Sequence, residues 1–416
     1  SALTGMASTD NVRTGILDVA GISTFRNTMN VGAAVTISES GIEASGIGIT
    51  VANINGGQIG GKRNIVINGA MMVAQRGTSS TSDGYYTVDR FQMNYGGENE
   101  APTQAQVDVT SGTTPYADGF RKSFKVTNGN QTGGAGTGDY IFARTRFEAQ
   151  DIANCGWNYT SSSSFITLSF YVKSSIAQTF PIRLVTSDGT AQNYSFQYTI
   201  SSANVWQKVV HSIPGNSNLQ FDNNVNLGLT MFWDIFRGTD QTADSFTNNA
   251  WAAFSSSSRS KDQTSTWWTT NDATFEITGV QLELGSQATP FEHRSYNEEL
   301  SLCHRYFQST ATQGYYLGTD TGSAEMGTEC GNVFGNNGDD NSSGLVWFGG
   351  MMRTAPTVTL YKRNSTTTGE IEQNGAGRTA AAAAISAKGC EYINITGGNA
   401  TAAVPACCAY TCSAEL

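Results

Sequence analysis

Between residues 120 and 284, apolar residues repeatedly alternate with polar ones, and a period of two admits only one regular structure. Ile166, Leu168, Phe170 and Val172 take every second position of FITLSFYVK. Phe180, Ile182 and Leu184 do the same in the next run, and Tyr194, Phe196, Tyr198 and Ile200 follow the turn Ser187-Asp188-Gly189. Successive strand side chains point to opposite faces, so this pattern builds sheets with one face buried. Phe120 to Val126, Tyr140 to Phe147, Trp206 to Ser212, and the series Leu227, Leu229, Met231, Trp233 read as further strands. In Phe275, Ile277, Val280, Leu282, Leu284 the phase shifts at Gly279, which predicts a bulge. Eight or more such runs, with polar turns and no amphipathic helix between them, specify an antiparallel β-sandwich, with a jelly roll as the expected version.

The chain reads as all-β along its whole length and divides into four zones. Residues 1–61 carry Gly-Ile pairs (Gly15-Ile16, Gly21-Ile22, Gly41-Ile42, Gly46-Ile47, Gly48-Ile49), with Val35/Ile37 and Ile47/Ile49/Val51 alternating between them. Strands this short bury nothing by themselves, so stacking against identical chains is expected: an N-terminal trimeric β shaft serving as a fibrous attachment segment. Gly56-Gly57 and Gly60-Gly61 mark its end. Residues 62–294 form the jelly-roll β-sandwich. Residues 295–307 form a short linking helix, opened by the capping box Ser295-Tyr296-Asn297-Glu298, with Tyr296, Leu300, Cys303 and Phe307 at helical spacing. Residues 308–416 form a smaller C-terminal β-domain, with strands at Leu345–Phe348, Thr357–Tyr361, Cys390–Ile395 and Ala406–Tyr410 and a loop at Asn336–Asn341.

Composition removes several function classes. The formal net charge of −10 argues against nucleic acid and anionic membranes as partners. No apolar run approaches the ~18 residues of a membrane helix, so membrane insertion is not expected. Ser1 to Asp10 show neither the basic nor the apolar region of a secretion signal. The seven cysteines are odd in number and contain no Cys-x-x-Cys pair, so neither a disulfide framework nor a zinc site is signalled. Free thiols in a reduced, cytoplasm-assembled protein are expected, with only one of the adjacent Cys407 and Cys408 facing a core.

Catalytic signatures are missing from the sequence. The three histidines, His211, His293 and His304, stand at no metal-ligand spacing, and neither a nucleophile elbow nor a phosphate loop occurs. Gly133 to Gly138 precedes a strand rather than a helix, so it reads as a plain loop. A glycosidase needs two carboxylates about 5–9.5 Å apart, and Asp234, Asp240, Asp244 and Glu292 form no diagnostic pair. The expectation is therefore a non-enzyme with no catalytic residues and no metal. The segment Asp234 to Asp272 stands out: 39 residues joining two strong strands and carrying Phe246, Trp251, Phe254, Trp267 and Trp268. Exposed aromatic rings bind sugars by stacking on their flat apolar faces. Trp251, Trp267, Trp268 and Phe254 are thus the candidate glycan-binding residues. The competing reading makes Trp251 and Trp267 plugs at the sandwich edge or at a trimer interface. Tyr85-Tyr86 and Trp157/Tyr159 are weaker candidates of the same kind.

Four stretches carry a family resemblance. They are Asn64-Ile65-Val66-Ile67-Asn68-Gly69-Ala70-Met71 with Val73 to Gly77 and Val88-Asp89-Arg90-Phe91; Ile166 to Ser175; Phe275 to Gly285 followed by Ala288-Thr289-Pro290-Phe291-Glu292-His293-Arg294; and Glu299-Leu300 with Cys303-His304-Arg305-Tyr306-Phe307. In this order they resemble bacteriophage tail-fibre proteins of the marine and cyanobacterial type, and the final Ala414-Glu415-Leu416 is similar to the end of such fibres. The resemblance implies a virion appendage, homotrimeric, with a carbohydrate-binding-module-like jelly roll. Its partners would be other virion structural proteins and a host surface glycan or envelope receptor. It implies no cofactor, though jelly rolls of this type accommodate a structural calcium. The function it implies is host attachment. A capsid-bound fibre or knob without receptor binding, or a glycan-degrading tailspike, are the alternatives.

Overall fold

The computed structural model of the chain describes residues 29–31, 35–38, 41–44, 62–311, 315–317, 329–334, 341–343, 346–362, 365–373, 376–395 and 405–416. The chain divides into two compact units, Ser1–Ala52 and Asn53–Leu416. In the first, β1 (Met29–Val31), β2 (Val35–Ser38) and β3 (Gly41–Ala44) form an antiparallel meander that sets Met29 opposite Ile37 and Ile37 opposite Ile42. These are the short pieces that β-branched alternation predicts. Ile47, Ile49, Val51 and the remainder of the expected shaft lie outside the described residues.

The second unit holds the sandwich. Its strands are β4 (Ser79–Ser80), β5 (Gln92–Gly96), β6 (Thr103–Asp108), β7 (Lys122–Thr127), β8 (Tyr140–Glu148), β9 (Phe165–Ser174), β10 (Thr179–Thr186), β11 (Gln192–Thr199), β12 (Gln207–Pro214), β13 (Leu227–Arg237), β14 (Trp251–Ala253) and β15 (Thr274–Leu284). One six-stranded sheet runs β14-β11-β10-β13-β8-β5, the other β12-β9-β15-β7-β6-β4, and every pairing is antiparallel. From β8 to β15 the chain crosses repeatedly between the sheets, the jelly-roll form of a sandwich. The alternating residues supply the core: Leu168, Phe170 and Val172 from one sheet meet Ile182, Leu184 and Met231 from the other. Trp233 is fully buried, its ring 5.9 Å from both Phe91 and Phe170. Each such large apolar side chain removed from water stabilises the fold by roughly 1.5–3 kcal/mol before chain entropy is counted. Three short helices that alternation does not announce interrupt the strands: α1 (Thr114–Ala117), α2 (Ala149–Ala153) and α3 (Thr266–Thr269).

The bulge read at Gly279 is present. The β9–β15 register shifts between Thr278 and Gln281, and Gly279 sits at φ 62°. A Cβ there would lie 2.7 Å from the Phe120 ring, so glycine is required both for the backbone and for the neighbour.

Helix α4 (Tyr296–Cys303) opens on the capping box, with both reciprocal Ser295–Glu298 bonds made. It ends sooner than the expected 307, because Phe307 opens β16 (Phe307–Ser309) and pairs with Ser413. That pairing belongs to the C-terminal sheet, which adds β17 (Glu329–Phe334), β18 (Asn341–Ser343), β19 (Val346–Trp347), β20 (Thr357–Lys362), β21 (Glu370–Gln373), β22 (Ala376–Ser386), β23 (Gly389–Ile395) and β24 (Pro405–Ser413). Strand β24 is its spine and pairs with β16, β17, β20 and β21. Leu360, Ile371, Ile393, Cys408, Tyr410 and Cys412 fill a core of their own. Cys408 is buried beside a more open Cys407, as adjacent strand residues must be. The free-thiol expectation fails at Cys407, which is disulfide-bonded. The β17–β24 ladder sets Cys330 directly opposite it. Sequence spacing gives no sign of that bond. Cys155, Cys303 and Cys412 are free thiols.

The start and the end of the sandwich are stitched to each other. The amide of Asn64 donates to Glu292 (2.6 Å), its side chain bridges Val280 and Leu282, and the Asn68 amide donates to Glu299 (2.7 Å). Arg294 donates to the carbonyls of Asn64 and Val66. Arg305 grips the buried Glu148 through two bonds of 2.6 and 2.7 Å, and Tyr306 adds a third at 2.6 Å. The last residues are clamped as well: Glu415 pairs with Arg76 and Arg90, and Arg353 donates to the carbonyls of Ala414 and Glu415.

Candidate functional site

The aromatic residues of the 234–272 segment do not share one fate. Trp267 and Trp268 lie in α3 and have no exposed surface. The Trp267 indole donates to Thr274 O (3.1 Å), and that of Trp268 donates to Gly134 O (2.8 Å) across the glycine-rich loop. The Asn128 side chain, donating to Trp268 O (2.6 Å) and Thr270 O (3.1 Å), ties the turn down. A ring with no exposed face cannot stack on a sugar, so both tryptophans are withdrawn as glycan-binding residues; they plug the sandwich. Trp251 is half-buried in edge strand β14, its indole donating to Pro214 O (2.7 Å) and its ring 5.2 Å from Tyr194. Phe254 keeps 39% of its surface exposed, with the Arg259 guanidinium 5.8 Å from its centroid. Aromatic residues in a polar loop look alike in sequence whether they close a core or face water.

The four acidic residues weighed as catalytic are engaged separately. Asp234 has no exposed surface, and Arg183 and Arg237 flank it. Burial pushes its carboxyl upward, but the two guanidiniums outweigh burial and hold it below the usual carboxylate range. Asp240 accepts from Thr137 (3.0 Å), Asp244 is exposed, and Glu292 pairs with Arg294 (3.3 Å). Among the described residues, no group of three or more His, Cys, Asp or Glu is placed to hold a metal ion.

A cleft of about 570 Å³ opens on the outer face of the β12-β9-β15 sheet, lined by Asp118, Phe120, Tyr171, Lys208, Phe291 and His293 among others. The Gly279 bulge shapes its floor by admitting the Phe120 ring. Phe120 meets Tyr171 edge-on at 5.8 Å and Phe291 at 4.8 Å, and Phe291 meets His293 at 4.9 Å. Phe120 and Tyr171 are buried beneath, Phe291 is half-buried, and His293 is exposed. The polar groups are fixed in place. The Tyr171 hydroxyl donates to the Asp118 carboxylate, and the His293 Nε2 lies 2.8 Å from Asp118 O. Burial first, and then the Asp118 carboxylate, push the Tyr171 phenol well up, so it stays a donor at any ordinary pH. The exposed Lys208 ammonium stands 5.6 Å from the Tyr171 centroid. The accessible Phe291 and His293 rings, seated on the buried Phe120 and Tyr171 and flanked by an anchored carboxylate and an ammonium, match a saccharide, which has apolar ring faces edged by hydroxyls.

Sequence reading missed these residues because they come from five separate segments. Two signals pointed to them. Tyr171 is an aromatic in the outward phase of an otherwise alternating strand, and Phe291 and His293 sit in one of the four resembling stretches.

No protein-family model and no curated protein sequence matches the chain. Among solved structures, it is similar to the enzymatically active domain of tailspike protein 4 of bacteriophage CBA120, at 11% identity over 53% of this chain and 21% of that one, TM-score 0.29. It is similar to the family 11 carbohydrate-binding module of a Clostridium thermocellum cellulase, at 11% identity over 52% and 98%, TM-score 0.24. It is also similar to the N-terminal cellulose-binding domain of a Cellulomonas fimi β-1,4-glucanase, at 9% identity over 52% and 99%, TM-score 0.25. The chain thus spans about a fifth of the tailspike domain. At such identities and scores these likenesses bear on neither site nor chemistry.

Proposed function

We propose that the chain is a virion fibre protein whose jelly roll binds glycan on a host surface through the Phe291 cleft. The observation that carries the glycan reading is the cleft itself: the accessible Phe291 and His293 rings, supported from beneath by the buried Phe120, beside the anchored Asp118 carboxylate, with Lys208 at the rim. The virion setting rests on the four resembling stretches. In a homotrimer three weak sites would act together, and linked sites gain avidity without any new contact. A non-enzymatic role is part of the proposal.

A glycan array on the purified full chain tests it. Phe291→Ala should weaken binding of every hit roughly tenfold or more, because loss of one anchoring ring commonly costs about 1–3 kcal/mol. Phe254→Ala, on the segment the sequence singled out, should leave it unchanged. Loss with Phe254→Ala and retention with Phe291→Ala would move the site to that segment and refute the cleft. Light scattering at three times the monomer mass checks the trimer, and a monodisperse monomer overturns it. Release of reducing sugar from host envelope polysaccharide would overturn the non-enzymatic reading.

A further inference from the structure

The wall that presents Phe291 and His293 is not held by secondary structure. Residues 286–295 form neither helix nor strand, and among the described residues no main-chain to main-chain hydrogen bond is made by residues 286–294. Such a loop must answer its peptide groups in another way, or leave them to water and move. Here the answer comes from neighbouring side chains of β15. Val280 and Leu282 belong to the core, so Gln281 and Glu283 point to the outer face, where an antiparallel sheet ordinarily shows polar residues to solvent. Both are instead buried beneath the loop, at 0% and 1% exposure.

Their bonds converge on the chain around Phe291. Glu283 accepts from the Thr289 amide (2.8 Å), from the Thr289 hydroxyl (2.5 Å) and from Gln281 Nε2 (2.8 Å). A carboxylate only accepts, so it turns the Gln281 NH₂ toward itself and the Gln281 oxygen away. That oxygen accepts from the Glu292 amide (2.8 Å), while Nε2 also reaches Thr289 O (3.4 Å). The main chain is thus fixed at 289 and at 292, with Phe291 between them. Arg63 adds bonds to Thr289 Oγ1 (2.8 Å) and Pro290 O (3.2 Å). The Phe291 ring so placed lands edge-on against Phe120, and neither Gln281 nor Glu283 lines the cleft.

We propose that Gln281 and Glu283 are positioning residues for recognition at the cleft: they hold residues 289–292 in the shape that seats Phe291 on Phe120 and His293 beside Asp118, so that a saccharide meets a wall already ordered. The saccharide part rests on the glycan reading above; the holding of the loop does not. A loop fixed before the ligand arrives need not be ordered by it, and preorganised sites gain affinity in this way. Both residues act through the loop and touch no ligand.

Hydrogen exchange read by mass spectrometry, and calorimetric titration with cellohexaose, laminarihexaose, agarohexaose and the strongest hit of the glycan array, test it on the full chain. Gln281→Met keeps the length of the side chain and removes its bonds to the loop. It should speed exchange across 286–294 and leave β8 and β13 as in wild type. It should also weaken saccharide binding by about three- to tenfold, the range set by ordering one flexible side chain on binding. Saturating saccharide should restore protection of that segment in the variant and add little in the wild type, a response that a merely structural role would not give. Thr289→Val removes a Glu283 bond from the half-buried loop side, so it decides the matter if Gln281→Met does not fold. It should act in the same direction, and Thr289→Ser, which keeps the hydroxyl, should bind more tightly than Thr289→Val. Unchanged exchange in 286–294, exchange that rises equally throughout the sandwich, or a loosened loop with unaltered saccharide affinity overturns the proposal. The glycan reading fails separately: if no saccharide binds the wild type while the loop still loosens in Gln281→Met, the positioning stands and the ligand belongs to another class.

Discussion

Replacing Asp234 by asparagine should be among the most damaging single changes in the sandwich, although no surface alters. The carboxylate accepts from Arg183 Nε and from Arg183 Nη2 (3.3 Å) and Arg237 Nε (2.8 Å), and both arginine side chains are 1% exposed. Asparagine keeps the shape but loses the charge and turns an NH₂ toward guanidinium donors. Two cations then remain buried with no counter-charge. The Phe232 ring beneath Arg183 (4.2 Å) and the Phe142 ring beneath Arg237 (4.5 Å) soften the penalty, as does the bond from Arg237 to Gln241. Removing one partner of a buried ion pair costs about 3–5 kcal/mol. A domain of this size loses roughly 2–4 °C of melting temperature per kcal/mol, which gives a fall of about 6–20 °C. The effect must also depend on pH. The folded carboxyl titrates below its ordinary 3.8, so its stabilisation is complete above that value and disappears as pH falls through the lower folded one. The gap between wild type and Asp234→Asn should therefore be constant from neutral pH down to about that point and close below it. Calorimetric melting from pH 7 to pH 2 measures this. A mutant within 2 °C of wild type at pH 7 would refute the reasoning, and so would a gap that widens in acid. The triple change Arg183→Met, Asp234→Leu, Arg237→Met should recover most of the loss, because apolar replacements of a buried ionic cluster are often neutral or better.

Three further outcomes follow from the same structure. Trp268→Ala should lower stability by about 3–5 kcal/mol through the cavity left beside Phe236 and Gly134, with glycan affinity per folded molecule unchanged on an array; an unaltered melting temperature would show that the ring is not core. His211 stacks on Phe196 at 3.8 Å, and burial lowers it from 6.5 to about 4, so the unfolded chain binds its proton first and stability should fall as pH drops from about 6.5 to 4. The full shift corresponds to at most about 3 kcal/mol, less for the water reaching a half-buried ring, and His211→Phe should flatten that part of the melting profile. Gly279→Ala should reduce glycan binding at the cleft and also lower the melting temperature, since φ 62° and the 2.7 Å approach to Phe120 both exclude a Cβ; an alanine variant indistinguishable from wild type in both assays would remove the bulge from any role in shaping the floor.

Local patterns were legible in the sequence, and long-range conjunctions were not. Alternation found the sandwich strands because one buried face imposes a period of two on each strand independently. The Gly279 bulge showed as a phase shift, and the capping box showed because Ser295 and Glu298 contact each other within a single turn. Trp267 and Trp268 misled because burial at the sandwich end is decided by Asn128 and Gly134, neither of which is near enough in sequence to leave a pattern around them. The cleft needed Asp118, Tyr171 and His293 together, and the β9–β15 and β15–β7 ladders with the 285–293 loop bring them within reach. The Cys407 disulfide is the same kind of case: an odd cysteine count without close spacing gives no sign of it.

The stitching of Asn64 and Asn68 to Glu292, Arg294 and Glu299 determines how the sandwich responds to traction. A pull between residues 62 and 304 does not pass along the strands in turn. It is borne first by a few short bonds that bridge the two ends directly, so the 220-odd residues between them hang as a closed loop outside the line of tension. Such an arrangement lets the Phe291 cleft keep its shape while the chain around it is strained, until the bridge itself shears. Single-molecule stretching with handles at those two positions should therefore show an early rupture on Glu292→Gln with the later unfolding peak of the sandwich unchanged; a single peak that weakens as a whole would mean that the strands share the load from the start.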